Sequence, residues 1–505
     1  MSETNSYRRI LRSSSVIGGA SIVNILVGLL RTKVAAVLLG PSGIGLIGLL
    51  QNLMGTASVV SALGFGTAGT RQIAEVAERE DARSVAVARR ALFWGTLLLS
   101  LSGGGLFWLC RVFLAERVLH GIVPGESVGW LGVGVALTVA AGSQTALLNG
   151  MQRIGDLARV SISTSILSTM MGLGALWVFG QRGILLFVLA IPMASFVCGH
   201  WYVAKLPRLP RSIETPLPVM IGQWKSLARI GSAFMIGGLV ELAGLLVVRL
   251  LVERELGSAA LGHFQASWMI AMTYIGFVLG AMGTDFYPRL SARMHDPQAA
   301  NRLVNEQTEM ALLLASPVVI AMLGLAPWII EMLYSSEFAE AALIFRWQVI
   351  GDVLKVAAWP LAFVMLAAGD GRAFIAAQTI GILVFIAATW LGLRTLGVQA
   401  TGVAFLCMYV AYLPLLFWLA RRRTGFAFTA RICWLLLVVL GTAVCVFIVS
   451  AEFGQVGAFA GLVAAGFLAV HAGARISHMA ELTGVPGTIG AACRRLMIKA
   501  GVWRE

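Results

Sequence analysis

Long apolar runs separated by short polar joints dominate the chain from one end to the other. Such runs lie near 15–38, 42–66, 90–112, 128–150, 158–179, 183–204 and 230–252. Seven more lie near 258–284, 305–326, 341–367, 372–393, 397–420, 430–451 and 455–474. As a helix, each is long enough to cross a bilayer, because about 20 apolar residues rising ~1.5 Å each span a ~30 Å hydrocarbon core. Lipid offers the backbone no hydrogen-bond partner, so such segments close their bonds internally as helices. The pattern predicts an all-α polytopic membrane protein of about 14 transmembrane helices. Joints as short as Gly40-Pro41-Ser42 and Gly180-Gln181-Arg182 are read as tight re-entries.

Composition agrees. Of 505 residues 58% are hydrophobic and 12% charged, half the ~25% charge of a soluble domain, and the mean hydropathy is +0.85. A soluble enzyme, a disordered chain and a disulfide scaffold are excluded. The six Cys are scattered without a CxxC and the six His form no HExxH, so neither a metal nor a cofactor is expected. The net charge of +14 raises the question of nucleic acid, but cytoplasmic loops of membrane proteins collect Lys and Arg. With the N-terminus placed in the cytoplasm, 28 Lys and Arg fall on that side and 5 on the other; the remaining 5, Arg31, Lys33, Arg249, Arg346 and Lys355, lie within spans. This bias predicts both termini inside and removes the need for a nucleic-acid partner. The first run is too long for a cleavable signal peptide and reads as a retained span.

The two halves repeat. Leu39-Gly40-Pro41-Ser42-Gly43-Ile44-Gly45 aligns with Leu256-Gly257-Ser258-Ala259-Ala260-Leu261-Gly262 at an offset of 217, which also carries Gly66-Thr67 onto Gly283-Thr284. Gly150 and Arg153 match Gly369 and Arg372 at an offset of 219. The offset covers six spans, an even number, so the copies are parallel and related by an axis along the membrane normal. The expected organisation is an N-lobe over 1–206, a cytoplasmic linker over 207–229, a C-lobe over 230–422, two additional spans over 423–475 and a cytoplasmic tail over 476–505. Two six-helix lobes around a central cavity form an alternating-access architecture.

Charges inside spans are the candidate chemistry, because a charge at mid-bilayer costs about 2.5–3.5 kcal/mol on insertion scales and survives beside a cavity or a partner. Arg31 and Lys33 lie in the second half of span 1, and Arg249 on span 7 falls almost where Arg31 maps. Cations on both lobes suit an anion, and an arginine fork suits phosphate or diphosphate. The competing reading has Arg31 and Lys33 snorkelling to headgroups. Glu241, eight residues before Arg249, either exchanges a proton or balances that cation. Asp352 and Lys355 on span 10 are spaced to pair within one helix; they either neutralise each other or form a gate that changes partners between states. Arg346 on the same span joins the gating candidates, and Asp285 is placed at the cytoplasmic mouth. Asn24, Gln51 and Asn52 either bond sugar hydroxyls or join helix to helix. Trp347 and Trp359 lie deep enough in their span to stack on sugars.

Two stretches carry a family resemblance: Leu30-Arg31-Thr32-Lys33-Val34-Ala35 running into Leu39-Gly40-Pro41-Ser42-Gly43-Ile44-Gly45-Leu46, and Phe345-Arg346-Trp347-Gln348-Val349-Ile350-Gly351-Asp352-Val353-Leu354-Lys355-Val356. The chain resembles the polysaccharide-transporter (Wzx-type) branch of the multidrug/oligosaccharidyl-lipid/polysaccharide flippase superfamily, and within it the enterobacterial-common-antigen and O-antigen flippases. The resemblance covers residues 10–425. It implies a two-lobed cationic cavity that moves an undecaprenyl-diphosphate-linked oligosaccharide across the bacterial inner membrane for exopolysaccharide, capsule or O-antigen assembly. It also implies cavity roles for Arg31, Lys33, Arg249, Asp352 and Lys355. Membrane lipids, a polysaccharide polymerase and chain-length proteins are the further expected partners. The resemblance implies nearest relatives that stop after twelve spans, whereas two more follow here; in related peptidoglycan-precursor flippases an added pair helps form a lipid groove. One alternative is a multidrug or cation exporter of the same superfamily, which calls for an acidic cavity. Another is a polymerase or ligase acting on lipid-linked sugars. Against the enzyme, the outside loops near 113–127 and 327–340 hold no carboxylate pair, His–Ser arrangement or phosphate-binding glycine loop.

Overall fold

The computed structural model describes residues 3–78, 82–207, 216–479, 492–493 and 495–497, without the side chains of 3–17, 78, 82, 230, 233, 234, 281, 284, 285, 478 and 479. Among the described residues fifteen α-helices run from Glu3 to Met479, and no strand occurs. They are α1 (Glu3–Ala62), α2 (Phe65–Glu78), α3 (Ala82–Leu109), α4 (Arg111–Phe113), α5 (Gly125–Gly150), α6 (Ile154–Phe179) and α7 (Ile184–Ala204). Then come α8 (Leu217–Arg293), α9 (Pro297–Gly324), α10 (Ala326–Leu333), α11 (Ala339–Ala367) and α12 (Gly371–Leu396). The chain closes with α13 (Ala400–Thr424), α14 (Ala430–Phe453) and α15 (Gln455–Met479).

Among the described residues ten helical segments are long and apolar enough to cross a membrane, against the fourteen read from the sequence. The difference lies in four of them, Gly18–Ala62, Ile154–Ala204, Met235–Gly280 and Gly371–Thr424, which run 45–54 residues, about twice what one crossing needs. Each contains a backbone break. Gly40 (φ 63) interrupts α1 and Gly257 (φ 83) interrupts α8; 3-10 turns at Gly180–Gly183 and Gly397–Gln399 join α6 to α7 and α12 to α13. Pro41 explains the first: it disfavours helical geometry in the residue before it and brings no N–H to the ladder. Gly40 has the extended ψ that a following proline favours, and a positive φ that a side chain would resist, as Gly257 does without a proline.

These breaks extend the repeat. Gly40 and Gly257, Gly180 (φ 55) and Gly397 (φ 57), and Gln152 (φ 54) and Gly369 (φ 72) are left-handed residues in matched pairs, each 217 apart. The third joint therefore shares the offset of the others, where glycine matching alone suggested 219.

The chain divides into two compact units, Met1–Gly262 and His263–Glu505. In the first, α5 packs on α2, α3 and α7, and α6 lies between α1 and α7. The first part of α8 also belongs here: Trp224 donates to the Ala91 carbonyl (2.8 Å), Leu227 is buried with Phe65 and Ala68, and Gly231 lies against the backbone of Leu63 and Gly64. The two matched breaks meet in this unit. A Cβ on Gly45 would come 2.5 Å from the Ser258 carbonyl oxygen, and one on Gly262 would collide with the Pro41 carbonyl. In the second unit α11 packs on α9 and α13, α12 on α13, and the two additional helices α14 and α15 dock on α9. Gly461 makes the last contact close enough that a Cβ there would lie 2.8 Å from the Gly324 Cα, the small-residue packing that lipid favours.

Candidate functional site

In the first unit the candidate cations are buried in apolar helix. Arg31 is 8% exposed. Its Nη2 donates to the Phe187 carbonyl of α7 (2.7 Å), and its guanidinium carbon sits 4.1 Å above the Phe187 ring. A guanidinium stacks on a ring face while its edge keeps donating, a combination an ammonium cannot copy. Arg249 is 5% exposed and Lys33 is half-buried; both are engaged in interactions of their own. Glu241 is exposed. Asn24 donates to the Ser161 hydroxyl of α6 (2.6 Å), joining α1 to α6. Asn52 is 4% exposed with its side-chain oxygen unpartnered, and Gln51 beside it is half-buried.

In the second unit α11 carries the charges. Asp352 is fully buried. Tyr274 of α8 donates its hydroxyl to Asp352 Oδ2 (2.6 Å), and Lys355 Nζ lies 3.9 Å from Oδ1. The predicted i, i+3 pair thus exists, at a separation longer than a hydrogen bond. The ammonium has two soft neighbours: the Met272 sulfur at 3.3 Å and the Phe405 ring centroid at 5.7 Å. Arg346, on the same helix, donates to the Ser450 carbonyl of α14 (3.2 Å), and Trp347 beside it packs on Phe447 (4.7 Å between rings). Trp359 packs on Phe286 and Phe363. The Asp285 side chain lies outside the described residues.

The fold therefore joins Asp352 and Lys355, adds Tyr274 to them, and ties Arg31 to α7 and Arg346 to α14. Four participants were missed in the sequence. Tyr274 reaches Asp352 across 78 positions, and Phe187 reaches Arg31 across 156; nothing local announces either. Glu309, near the middle of α9, is 8% exposed and faces Arg475 (3.5 Å) and Arg431 (3.8 Å) from the additional helices. Gln348 is fully buried, and its signal was available: a polar residue in an apolar run, one helical turn before Asp352. Among the described residues no group of three His, Cys, Asp or Glu is placed to hold a metal.

Comparison with known proteins completes the description. Residues 34–343 match the family model described as polysaccharide biosynthesis protein. The chain is 25% identical over 429 residues to the lipid III flippase of Escherichia coli (strain K12), covering 82% of this chain and 99% of that protein. The lipid III flippase of Shigella flexneri matches at the same identity and coverage. Among solved structures, the lipid II flippase MurJ in an inward closed conformation superposes with a TM-score of 0.68 at 11% identity, covering 94% of this chain and 100% of that one. An inward-facing multidrug resistance transporter of the MATE family, in the MOP superfamily, superposes with a TM-score of 0.67 at 16% identity, covering 82% and 98%. At these identities the structural likenesses establish the fold.

Proposed function

The chain belongs to the polysaccharide biosynthesis protein family, and from that premise we propose that it is a flippase carrying undecaprenyl-diphosphate-linked oligosaccharides from the cytoplasmic to the periplasmic leaflet. The resemblance read from its two motifs, to the polysaccharide-transporter branch, agrees with that family and with the similarity to the two lipid III flippases. One observation carries the reading: Arg31 and Arg249, 8% and 5% exposed, sit in long apolar helices at nearly matched positions of the repeat. A diphosphate and its sugars do not cross ~30 Å of hydrocarbon unaided. Buried guanidinium groups replace their water with charge-assisted hydrogen bonds, while the polyprenyl tail stays in lipid.

In this reading Arg31, Lys33, Arg249 and Lys355 bind the diphosphate, and Asn24, Gln51 and Asn52 bind sugars. Glu241, Asp352 and Arg346 couple or gate the cycle. The chain crosses the inner membrane fourteen times, the four long segments dividing at their breaks, with both termini cytoplasmic. Its lobes are 1–206 and 230–422, joined by 207–229 and followed by the pair over 423–475 and the tail over 476–505. A polysaccharide polymerase and chain-length proteins take up the product. The MATE likeness supports the alternating-access fold; a cationic drug as cargo fits poorly beside buried arginines. The test is flipping of a defined undecaprenyl-diphosphate oligosaccharide in proteoliposomes, with and without an ion gradient. Protein-dependent transfer is expected. Absence of transfer under every gradient, alongside drug efflux, would transfer the chain to the exporters.

A further inference from the structure

Three polar side chains of α11 share one stripe: Gln348, Asp352 and Lys355, at i, i+4 and i+7. Gln348 and Asp352 are both 0% exposed. Of the Asp352 oxygens, Oδ2 takes the Tyr274 hydroxyl, whereas Oδ1 has no hydrogen bond among the described residues and faces the Lys355 ammonium at 3.9 Å. Neither Oε1 nor Nε2 of Gln348 has a hydrogen-bond partner among the described residues. Fully buried amides with both ends idle are rare, because proteins satisfy nearly all buried polar groups. Here an idle donor and an idle acceptor stand one helical turn apart, with Cβ atoms about 5–6 Å from each other, a spacing at which Gln and Asp pair on helices.

Two contacts of Lys355 are soft: thioether sulfur is a weak acceptor and a ring face a diffuse one, so a phosphate oxygen outcompetes Met272 and Phe405 for the ammonium. Its departure takes the ammonium at 3.9 Å away from Asp352 Oδ1, and a buried carboxylate oxygen that loses its counter-charge opposes that departure. We propose that Gln348 is a positioning residue whose amide N–H takes over Asp352 Oδ1 when Lys355 swings to an anionic phosphate of the cargo. The proposal rests on Lys355 binding the cargo, as read above, and supplies the second partner that a gate at Asp352 requires. Tyr274 stays on Oδ2 in both states, so the exchange is confined to Oδ1.

Full-length protein in proteoliposomes tests this with two variants. Gln348→Leu keeps the volume and removes the donor. A purely structural idle amide predicts equal or higher thermostability and an unchanged flipping rate, since replacing an unsatisfied buried group with an apolar one is neutral or favourable. The exchange predicts the same thermostability with flipping reduced about tenfold or more, the scale of one hydrogen bond to a charged group. Gln348→Glu donates only while the introduced carboxyl is protonated, so its flipping falls as pH rises, relative to wild type. Wild-type flipping by Gln348→Leu, or a wild-type pH profile in Gln348→Glu, would overturn the proposal; should Gln348→Leu fail to insert, the pH profile decides alone. Difference infrared spectroscopy with inorganic pyrophosphate separates this from the transport reading. Pyrophosphate is expected to shift the Asp352 carboxyl band, identified by its loss in Asp352→Asn, in wild type and not in Gln348→Leu. A shift without any flipping refutes the transported cargo and keeps the exchange; no shift in wild type refutes the exchange.

Discussion

Arg31→Met separates a guanidinium that serves the cargo from one that serves the fold. In the structure Arg31 donates to the Phe187 carbonyl at 2.7 Å and covers the Phe187 ring at 4.1 Å. A hydrogen bond from a charged donor contributes about 1.5–3 kcal/mol, and a desolvated cation–π contact about 2 kcal/mol. Against these, taking a guanidinium out of water costs several kcal/mol, so the two sides nearly cancel. Methionine keeps an unbranched stem over the ring and adds a sulfur–aromatic contact. Thermostability in detergent should therefore change by no more than about 1 kcal/mol. Transport behaves differently. A guanidinium–phosphate hydrogen bond lost from the loaded state removes about 1.5–3 kcal/mol, a fall of about ten- to 150-fold in flipping per folded molecule. The assay follows a fluorescent undecaprenyl-diphosphate oligosaccharide in proteoliposomes, with the melting temperature of the same preparation as control. Arg31→Lys, which keeps the charge and loses the fork, should fall between. A large drop in melting temperature with an unchanged rate per folded molecule would show that Arg31 only braces α1 on α7.

Three further outcomes follow from particular contacts. Tyr274→Phe removes the hydroxyl that donates to the buried Asp352 carboxyl and should lower thermostability by about 1–3 kcal/mol; an unchanged melting curve would mean that water replaces the hydroxyl. Gly262→Ala sets a methyl against the Pro41 carbonyl, where backbone must yield, at about 1–3 kcal/mol. A fully stable Gly262→Ala protein would refute the close approach of the two breaks. Glu309→Gln takes the carboxylate from Arg475, whose side chain is 18% exposed, and from Arg431, which is 62% exposed. Discounting the exposed partner, thermostability should fall by about 1–2 kcal/mol with flipping per folded molecule retained, and equal stability would show that α14 and α15 are held by apolar packing alone.

The sequence by itself determined the properties that are local or cumulative. Twenty apolar residues in a row make a membrane-crossing helix whatever surrounds them, and glycines at a constant offset announce a repeat because each copy needs the same backbone break. Asp352 and Lys355 were legible as a pair because residues three apart on a helix are neighbours, and Gln348 was equally legible one turn away. Tertiary packing decided everything that joins one helix to another. In lipid the helices are apolar on nearly every face, so periodicity does not say which face meets which neighbour. That Tyr274 completes Asp352, that Phe187 receives Arg31, that Glu309 faces Arg475 and that Arg346 reaches Ser450 depended on how α7, α8, α9, α14 and α15 settle against their partners. Those choices rest on summed close contacts between small residues, such as Gly324 with Gly461, whose energies are spread over whole helix surfaces and written in no single motif.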